Sequence, residues 1–513
     1  MSNKKETSLA RSAALMGIII LFSKVLGLVR DMLVAGEYGT TVAAQAYETA
    51  SKLPVTIFDF VLGGVVTAAF IPVYNSLAVK RGKKDALSFA QSYFNLIVLV
   101  TVCLSVIGVV FSPTLVSFIA PELSEETATL AASLTRIMFP MVIFVGAAFS
   151  FVGFLQSEGE YNIPAVISLV SNLIMVLYLV FLSDKFGVVG LSVAMLIGWA
   201  AQAAVQLPAV LQRGFRFKLN APLLTPEIGR ALKNTLPILI ATWTVPVCSL
   251  INTRLASGID GGRAINALGY ANRLYIIIVG LFSFVATNLI FPKISRAAAG
   301  GDRAEGERLT RVSMKTLVFI IAPISAGVAT LASPFISLIY ERGEFTAADT
   351  LLTAEAMRFY AIGMIFQALS EVLTKSFFAH EKNRLPMISS IISMCVNVGA
   401  VLILGDRLGV GGIALITSIS SAVNMIINLI FAHRCGIITS HAADYIDFAK
   451  SIVMALIMAL AVYFTYSRLG ALPQIFAFAV SVLVGVAVYA VLALILRSES
   501  VWGFIRRTEK SKK

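Results

Sequence analysis

Charge is scarce in this sequence. Asp, Glu, Lys and Arg make up 13% of its 513 residues, against about a quarter in a soluble chain, which excludes an ordinary water-soluble domain. Cysteine is scarcer still. Cys103, Cys248, Cys395 and Cys435 are scattered, without pairing or metal-ligand spacing, so no disulfide framework or zinc site organises the fold, and they read as small buried hydrophobes. The three histidines, His380, His433 and His441, fall in or beside loops with no metal partner near them in sequence. There is no Walker A loop, HExxH or CxxC, and no Ser/His/Asp arrangement stands out. The sequence therefore predicts no catalytic residue, no metal site and no resident cofactor. Gly261-Gly262 and Gly411-Gly412 are isolated pairs, better suited to turns or close helix contacts than to cradling phosphate.

What the chain has is apolar residues, 58% of the total, with a mean hydropathy of +0.86. Runs of about 20 apolar residues recur from end to end, the length that a bilayer-crossing helix needs. Counting them predicts an all-α polytopic membrane protein of about fourteen transmembrane helices. The first covers about Ala10–Ala35, the second about Ala44–Ala69, the fourth about Thr127–Gly153 and the seventh about Leu232–Ala256. The first run lacks a small-residue cleavage site, so it is expected to be a retained span. Basic residues collect in alternate loops: the N-terminal tail, Lys80–Lys84, Arg213–Lys218, Lys293–Arg311, Lys382–Arg384 and Arg506–Lys513. By the positive-inside rule these loops and both termini are cytoplasmic. The net charge of +13 is thereby assigned to membrane orientation, and no nucleic-acid partner is expected. One loop on that side, Gln156–Asn162, is acidic and departs from the rule.

An internal repeat is visible. Arg136 and Phe144 recur as Arg358 and Phe366, Pro164 as Pro386, and Gly214 as Gly436, each 222 positions on. Phe70-Ile-Pro72 recurs as Ile290-Phe-Pro292, shifted by 220. Six spans per repeat give two halves of the same orientation, a transporter architecture with a cavity between lobes near the midplane. The expected divisions are an N-terminal six-helix lobe at 1–220 and a C-terminal six-helix lobe at 221–440. Two extra helices and a basic tail follow at 441–513.

Intramembrane charges mark a functional path, because each costs roughly 2.5–3.5 kcal/mol on insertion scales. The first lobe carries Lys24, Arg30, Asp31, Lys52, Asp59 and Arg136, and the second Lys233, Arg273, Lys315, Arg358, Glu371 and Lys375. Lys24 and Asp31 are seven apart and share a helix face, so they could partly neutralise each other and leave Arg30 to point elsewhere, a geometry that sequence does not decide. Arg136 and Arg358 are expected to stabilise span ends, and Pro54 and Pro246 to act as hinges. The excess of cations suits an anionic ligand, since guanidinium groups match phosphate oxygens with paired donors.

The run Phe22-Ser-Lys-Val-Leu-Gly-Leu-Val-Arg-Asp31 resembles the first-span signature of the MurJ/MviN lipid II flippases. So do Lys52-Leu-Pro54 with Ala69-Phe-Ile-Pro72, Tyr270-Ala-Asn-Arg-Leu274, and Tyr340-Glu-Arg-Gly-Glu-Phe-Thr346. The resemblance implies the multidrug/oligosaccharidyl-lipid/polysaccharide exporter fold, with two six-span lobes and two C-terminal helices forming a groove for a polyprenyl tail. It implies transport of lipid II, an undecaprenyl-pyrophosphate-linked peptidoglycan precursor, from the inner to the outer leaflet of the bacterial cell membrane. The substrate-binding residues it implies are Arg30, Asp31 and Arg273, with Lys24, and Lys52 of the second span is expected to join them. With no ATP site, direction is expected from membrane potential or an ion gradient, and cell-wall synthesis proteins are expected partners. Many members carry adjacent arginines in the second span where this chain has Phe58-Asp59. An exporter of another lipid-linked oligosaccharide, or a cation-coupled drug exporter of the same superfamily, is the alternative.

Overall fold

The computed structural model describes residues 2–62, 65–218, 220–231, 243–285, 290–439 and 441–496. Lys233, Pro237, Gly63-Gly64, the start of the seventh expected span and the tail Arg506–Lys513 lie outside the described residues. Two compact units form. One is Met1–Asn266 together with Arg342–Phe345, and the other is Ala267–Glu341 together with Thr346–Lys513.

The first unit contains α1 (Ser2–Tyr38), α2 (Val42–Leu62), α3 (Val65–Lys80), α4 (Lys83–Val110), α5 (Ser112–Ile119), α6 (Glu125–Met138), α7 (Met141–Ser157), α8 (Asn162–Phe181), α9 (Ser183–Gln212) and α10 (Thr244–Ala256). Helix α11 (Arg263–Val285) begins in the first unit and continues in the second. The second unit adds α12 (Phe291–Ala299), α13 (Arg303–Thr330), α14 (Ala332–Tyr340), α15 (Ala347–Ala379), α16 (Arg384–Arg434), α17 (Ala442–Arg468) and α18 (Gln474–Ile495). Among the described residues, nine segments are long and apolar enough to cross a membrane, the two arms of α16 counting separately. The pair α6–α7 makes a tenth, bent by 41°, so the fourth span is broken rather than straight. Pro140 stands at the break and supplies no N–H to continue the ladder. Helices α1, α2, α10 and α11 occupy the four remaining expected positions.

Helix starts follow local chemistry. Ser124 Oγ accepts the Thr127 N–H at 3.2 Å, and Glu125 and Glu126 fill the first turn of α6, where the helix dipole favours negative charge. Thr346 and Asp349 form a reciprocal capping box at the start of α15. Pro54 lies inside α2, whereas Pro246 sits in the first turn of α10, where a missing N–H disturbs nothing.

The repeat is written into the backbone. Gly187 breaks α9 with φ 52° and ψ −150°, and Gly409, 222 residues on, breaks α16 with φ 63° and ψ −165°. Three further left-handed positions recur at the same offset: Gly39 with Gly261, Gly159 with Glu381, and Gly214 with Gly436. Polar packing repeats as well. Gln206 donates to the Ala148 carbonyl at 3.1 Å, and at the matching positions Asn428 donates to Ser370 Oγ at 3.0 Å. Such bonds hold helices together where lipid provides no hydrophobic drive between them. The cysteines depart from expectation, with Cys103 and Cys395 exposed and Cys248 and Cys435 half-buried. An apolar thiol on the outside of a span meets lipid as readily as core.

The acidic loop also finds its explanation. Glu158 accepts from Tyr74 Oη at 2.6 Å and Lys83 Nζ at 2.7 Å, and Glu160 accepts from Arg213 Nη2 at 2.7 Å. Glu160 also receives the Asn162 N–H that opens α8, at 3.1 Å. The loop therefore neutralises cations from the neighbouring loops Lys80–Lys84 and Arg213–Lys218. In the second half Lys382 stands where Glu160 does and donates to the Cys435 carbonyl at 3.5 Å.

Residues Arg342–Phe345 of the turn after α14 belong to the first unit. The Glu344 N–H donates to the Gly36 carbonyl at 2.8 Å, and Phe345 is buried. A Cβ on Gly39, at φ +52°, would stand 2.3 Å from the Glu344 carbonyl oxygen. Gly39→Ala should therefore lose the roughly 1–2 kcal/mol of left-handed strain plus the cost of moving a backbone. Gly82→Ala, at φ +90° with nothing within 4 Å, should lose the strain alone. Thermal unfolding in detergent checks this, and equal losses would show that the close approach is unimportant.

A pH dependence follows from Glu158. Burial pushes its carboxyl up, but hydrogen bonds from Lys83 and Tyr74 outweigh that and hold it below its ordinary value of 4.5. A carboxyl depressed on folding contributes stability that is full above the ordinary value and fades as pH falls through the folded one. Wild type should exceed Glu158→Gln by about 1 kcal/mol near neutral pH. The gap should close as pH is lowered below 4.5. A gap that persists in acid would refute this account.

Candidate functional site

Helix α1 brings its charges to α8. Asp31 is 5% exposed and would be costly there without a partner. Arg30 supplies one, with Nη2 2.8 Å and Nε 3.1 Å from Asp31 Oδ1. Arg30 Nη1 also donates to Asn172 Oδ1 on α8 at 2.9 Å, and Asn172 Nδ2 donates to the Ser23 carbonyl at 3.2 Å. Gly27 makes room for this crossing, since a Cβ there would lie 3.3 Å from Asn172 Nδ2. Asp31 is therefore matched by Arg30 and not by Lys24: the long guanidinium curls back to its sequence neighbour, and Lys24 makes no ion pair or hydrogen bond among the described residues. A guanidinium has five N–H donors. Three serve Asp31 and Asn172, and with 28% of the side chain exposed the rest remain for an oxyanion.

Lys52 on α2 lies 3.3 Å from Glu48 Oε1, one turn back, and donates to Thr253 Oγ1 of α10 at 3.3 Å. Glu48 and Thr253 are both buried. Arg273, on the part of α11 in the second unit, lies 5.6 Å from the Tyr270 ring centroid, a cation–π arrangement. Tyr270 is fixed in turn by Tyr340, with centroids 5.0 Å apart. The structure thus places Lys24, Arg30, Asp31 and Lys52 in the first unit and Arg273 in the second. Sequence reasoning missed Asn172 and Glu48. Each is a lone polar residue in a span, and that was the available signal.

The remaining charges divide. Lys315 lies 2.6 Å from Asp444 and 2.9 Å from Asp447, and Arg311 lies 2.5 Å from Asp444, so these cations fasten α17 to α13. Lys375 lies 3.7 Å from Glu371. Arg136 occupies the last turn of α6. Arg358 is exposed in the interior of α15, which continues unbroken where α6–α7 bends.

The second unit also holds an apolar cavity of about 720 Å³ along α13, α14, α17 and α18. Phe319, Pro323, Gly327, Met458, Gly485 and Tyr489 line it, and the Tyr489 hydroxyl is turned away to the Phe319 carbonyl at 2.7 Å. Its lining suits hydrocarbon and offers nothing to a charged group.

Two repeated sets of spans, charged groups inside them and a long apolar groove define a polytopic membrane transporter. A multidrug-resistance transporter of the MATE family and MOP superfamily, solved facing inward, shares the fold at TM-score 0.69 and 15% identity, over 83% of this chain and 98% of that one. A solved structure described as lipid II flippase MurJ in an inward closed conformation superposes at TM-score 0.82 and 25% identity, covering 95% of this chain and 100% of that one. A Rhizobium meliloti (strain 1021) protein described as a probable lipid II flippase MurJ is 29% identical, over 83% of this chain and 80% of its own length. The family model for lipid II flippase MurJ matches residues 34–498, and the chain belongs to that family.

The Arg30–Asn172 bond is testable. A double-mutant cycle of Arg30→Ala and Asn172→Ala, read by chemical unfolding, should give a coupling of about 1.5 kcal/mol, as for a hydrogen bond to a charged group. Additive effects would mean that Asn172 does not hold Arg30.

Proposed function

We propose that this chain moves lipid II, or a closely similar polyprenyl-pyrophosphate glycolipid, from the inner to the outer leaflet of a bacterial cell membrane by alternating access. The family match over residues 34–498 carries this reading. In it, Arg30 and Arg273 hold the pyrophosphate with guanidinium donors, and Lys24 adds the unneutralised cation of α1. Asp31 and Asn172 position Arg30, while Lys52, balanced by Glu48, completes the charged lining. The polyprenyl tail lies in the groove of α13, α14, α17 and α18.

The family transports rather than catalyses, and no bond of the cargo changes. With no Walker A sequence, direction comes from the membrane potential or an ion gradient. Moving one charge through 100 mV is worth about 2.3 kcal/mol. A bound anionic head group biases the two states only through different affinities for them. Both termini face the cytoplasm in this reading, together with the basic loops that Glu158 and Glu160 join. Cell-wall synthesis proteins are the expected partners. Phe58-Asp59, in place of a basic pair, favours a second reading in which the head group belongs to another lipid-linked oligosaccharide.

Depletion and rescue in a bacterium lacking its own lipid II flippase tests the proposal, with lipid II accessibility on the outer leaflet as readout. Wild type should rescue, and Arg30→Ala and Arg273→Ala should fail while inserting normally. Gly327→Leu should insert normally and flip several-fold more slowly, since only Met458 Cε lies within 4 Å of its Cβ and the added bulk enters the groove. Failure of well-inserted wild type would transfer the cargo to another lipid-linked glycan, and full activity in both arginine variants would refute the head-group site.

A further inference from the structure

The motif that follows α14 begins with a tyrosine that the transport reading leaves without a task. Tyr340 ends α14 and is fully buried, and Tyr270 on α11 is 1% exposed. Their ring centroids lie 5.0 Å apart at an interplanar angle of 43°. Tilted rings at such a distance attract beyond the area they bury, and neither has open space to turn into.

Tyr340 is itself held by the corner that it begins. Helix α14 packs on α15, and the Glu341 N–H donates to the Ser337 carbonyl at 3.0 Å. The Glu341 carboxylate accepts the Thr350 hydroxyl of α15 at 2.8 Å. With the capping box of Thr346 and Asp349 at the start of α15, the end of one helix is fastened to the start of the next.

Arg273 lies one helical turn beyond Tyr270, with its Cζ 5.6 Å from that ring centroid. Two residues further, Tyr275 meets Tyr360 of α15 with centroids 5.6 Å apart. Aromatic contacts therefore fasten α11 to the second unit on both sides of Arg273. Tyr275 fixes the helix, and Tyr270 lies against the guanidinium that the helix carries. A ring face attracts a cation through its quadrupole and takes none of its N–H donors. Arg30 is oriented differently, by an acid and an amide that use three of its donors. An aromatic hold fixes a guanidinium without cancelling its charge.

We propose that Tyr270 is a positioning residue for Arg273, and that Tyr340 acts through it by fixing the ring. The pair holds the guanidinium in one pose before cargo arrives, so less side-chain freedom is lost when an oxyanion binds. The ring face does this, and a phenylalanine supplies the same face. The pose of Arg273 stands on these contacts alone, while its consequence for binding rests on the transport reading above.

Two measurements on the full-length protein in detergent test it, using Tyr270→Phe, Tyr270→Leu, Tyr340→Leu and Arg273→Ala. Magnetic resonance of arginine-labelled protein should contain an Arg273 side-chain signal, identified by its loss in Arg273→Ala and displaced by the ring current of Tyr270. The displacement should remain in Tyr270→Phe, vanish in Tyr270→Leu and shrink in Tyr340→Leu. Lipid II affinity, read by native mass spectrometry, should fall several-fold in Tyr270→Leu and Tyr340→Leu and be kept in Tyr270→Phe. Tyr270→Met, which fills the space with a flexible chain and no ring, replaces Tyr270→Leu if that variant does not fold. A signal that loss of the ring does not move would overturn the proposal. So would wild-type affinity in Tyr270→Leu when Arg273→Ala binds lipid II weakly. Wild-type affinity in Arg273→Ala would overturn the head-group site instead, and a ring-current displacement lost in Tyr270→Leu would still uphold the tyrosine hold on the guanidinium.

Discussion

A charge inside a span has no water to solvate it, so the protein must match it or leave it an outlet. Most of the local design in both units follows from that demand. Asp31 is tolerable because Arg30 folds onto it, and Arg30 holds that pose because Asn172 of another helix accepts its third hydrogen bond. Gly27 then has to be small, since the α1–α8 crossing runs through the Asn172 amide. The same demand places Glu48 one turn from Lys52, and Asp444 and Asp447 against Lys315. The matched pairs fix helices to one another. Among the described residues Lys24 is left unmatched, and its charge is one that an anionic ligand can answer.

The two repeats show what duplication keeps. Left-handed turns survive at a fixed offset because the chain reverses there whatever side chains surround it: Gly39 with Gly261, Gly187 with Gly409, Gly214 with Gly436. Glu381 takes the same conformation as Gly159 although it carries a side chain, which shows that the turn is dictated by the repeat rather than by the residue. Charges were kept at Arg136 and Arg358 but not in the acidic loop. Glu160 becomes Lys382, and its partner Arg213 becomes Cys435, so an ion pair gives way to an ammonium bonded to a carbonyl. Backbone geometry belongs to the fold, and charge is free to specialise each half.

That division explains what the sequence could disclose. Span number, the repeat and the charged helices were legible, because apolar length and residue identity are one-dimensional signals. The bend at Pro140 was only half legible: a proline marks the place, but Arg358 and its unbroken helix show that the matching position need not bend. Pairing was not legible. Helical periodicity puts Lys24 and Asp31 on one face and sends Arg30 elsewhere, yet a flexible guanidinium reaches its neighbour and meets an acceptor 142 residues away. The role of the acidic loop was hidden for the same reason, since Lys83 and Arg213 meet Glu158 and Glu160 only in three dimensions.

A lipid with a charged head and a hydrocarbon tail poses two incompatible solvation problems, and in the proposed reading different helices of this chain meet them. The groove of α13, α14, α17 and α18 is apolar along its lining, and it turns even its tyrosine hydroxyl to a backbone carbonyl. Its position is nevertheless set by charge, because Arg311 and Lys315 grip Asp444 and Asp447 at the start of α17. A tail surface needs no specificity, since hydrocarbon presents none. Ion pairs at the start of α17 fasten it to α13 without placing a polar atom in the groove. In that reading discrimination between cargoes falls to the proposed head-group residues, where Arg30 has donors to spare and where Phe58-Asp59 differs from the basic pair that the family resemblance leads one to expect.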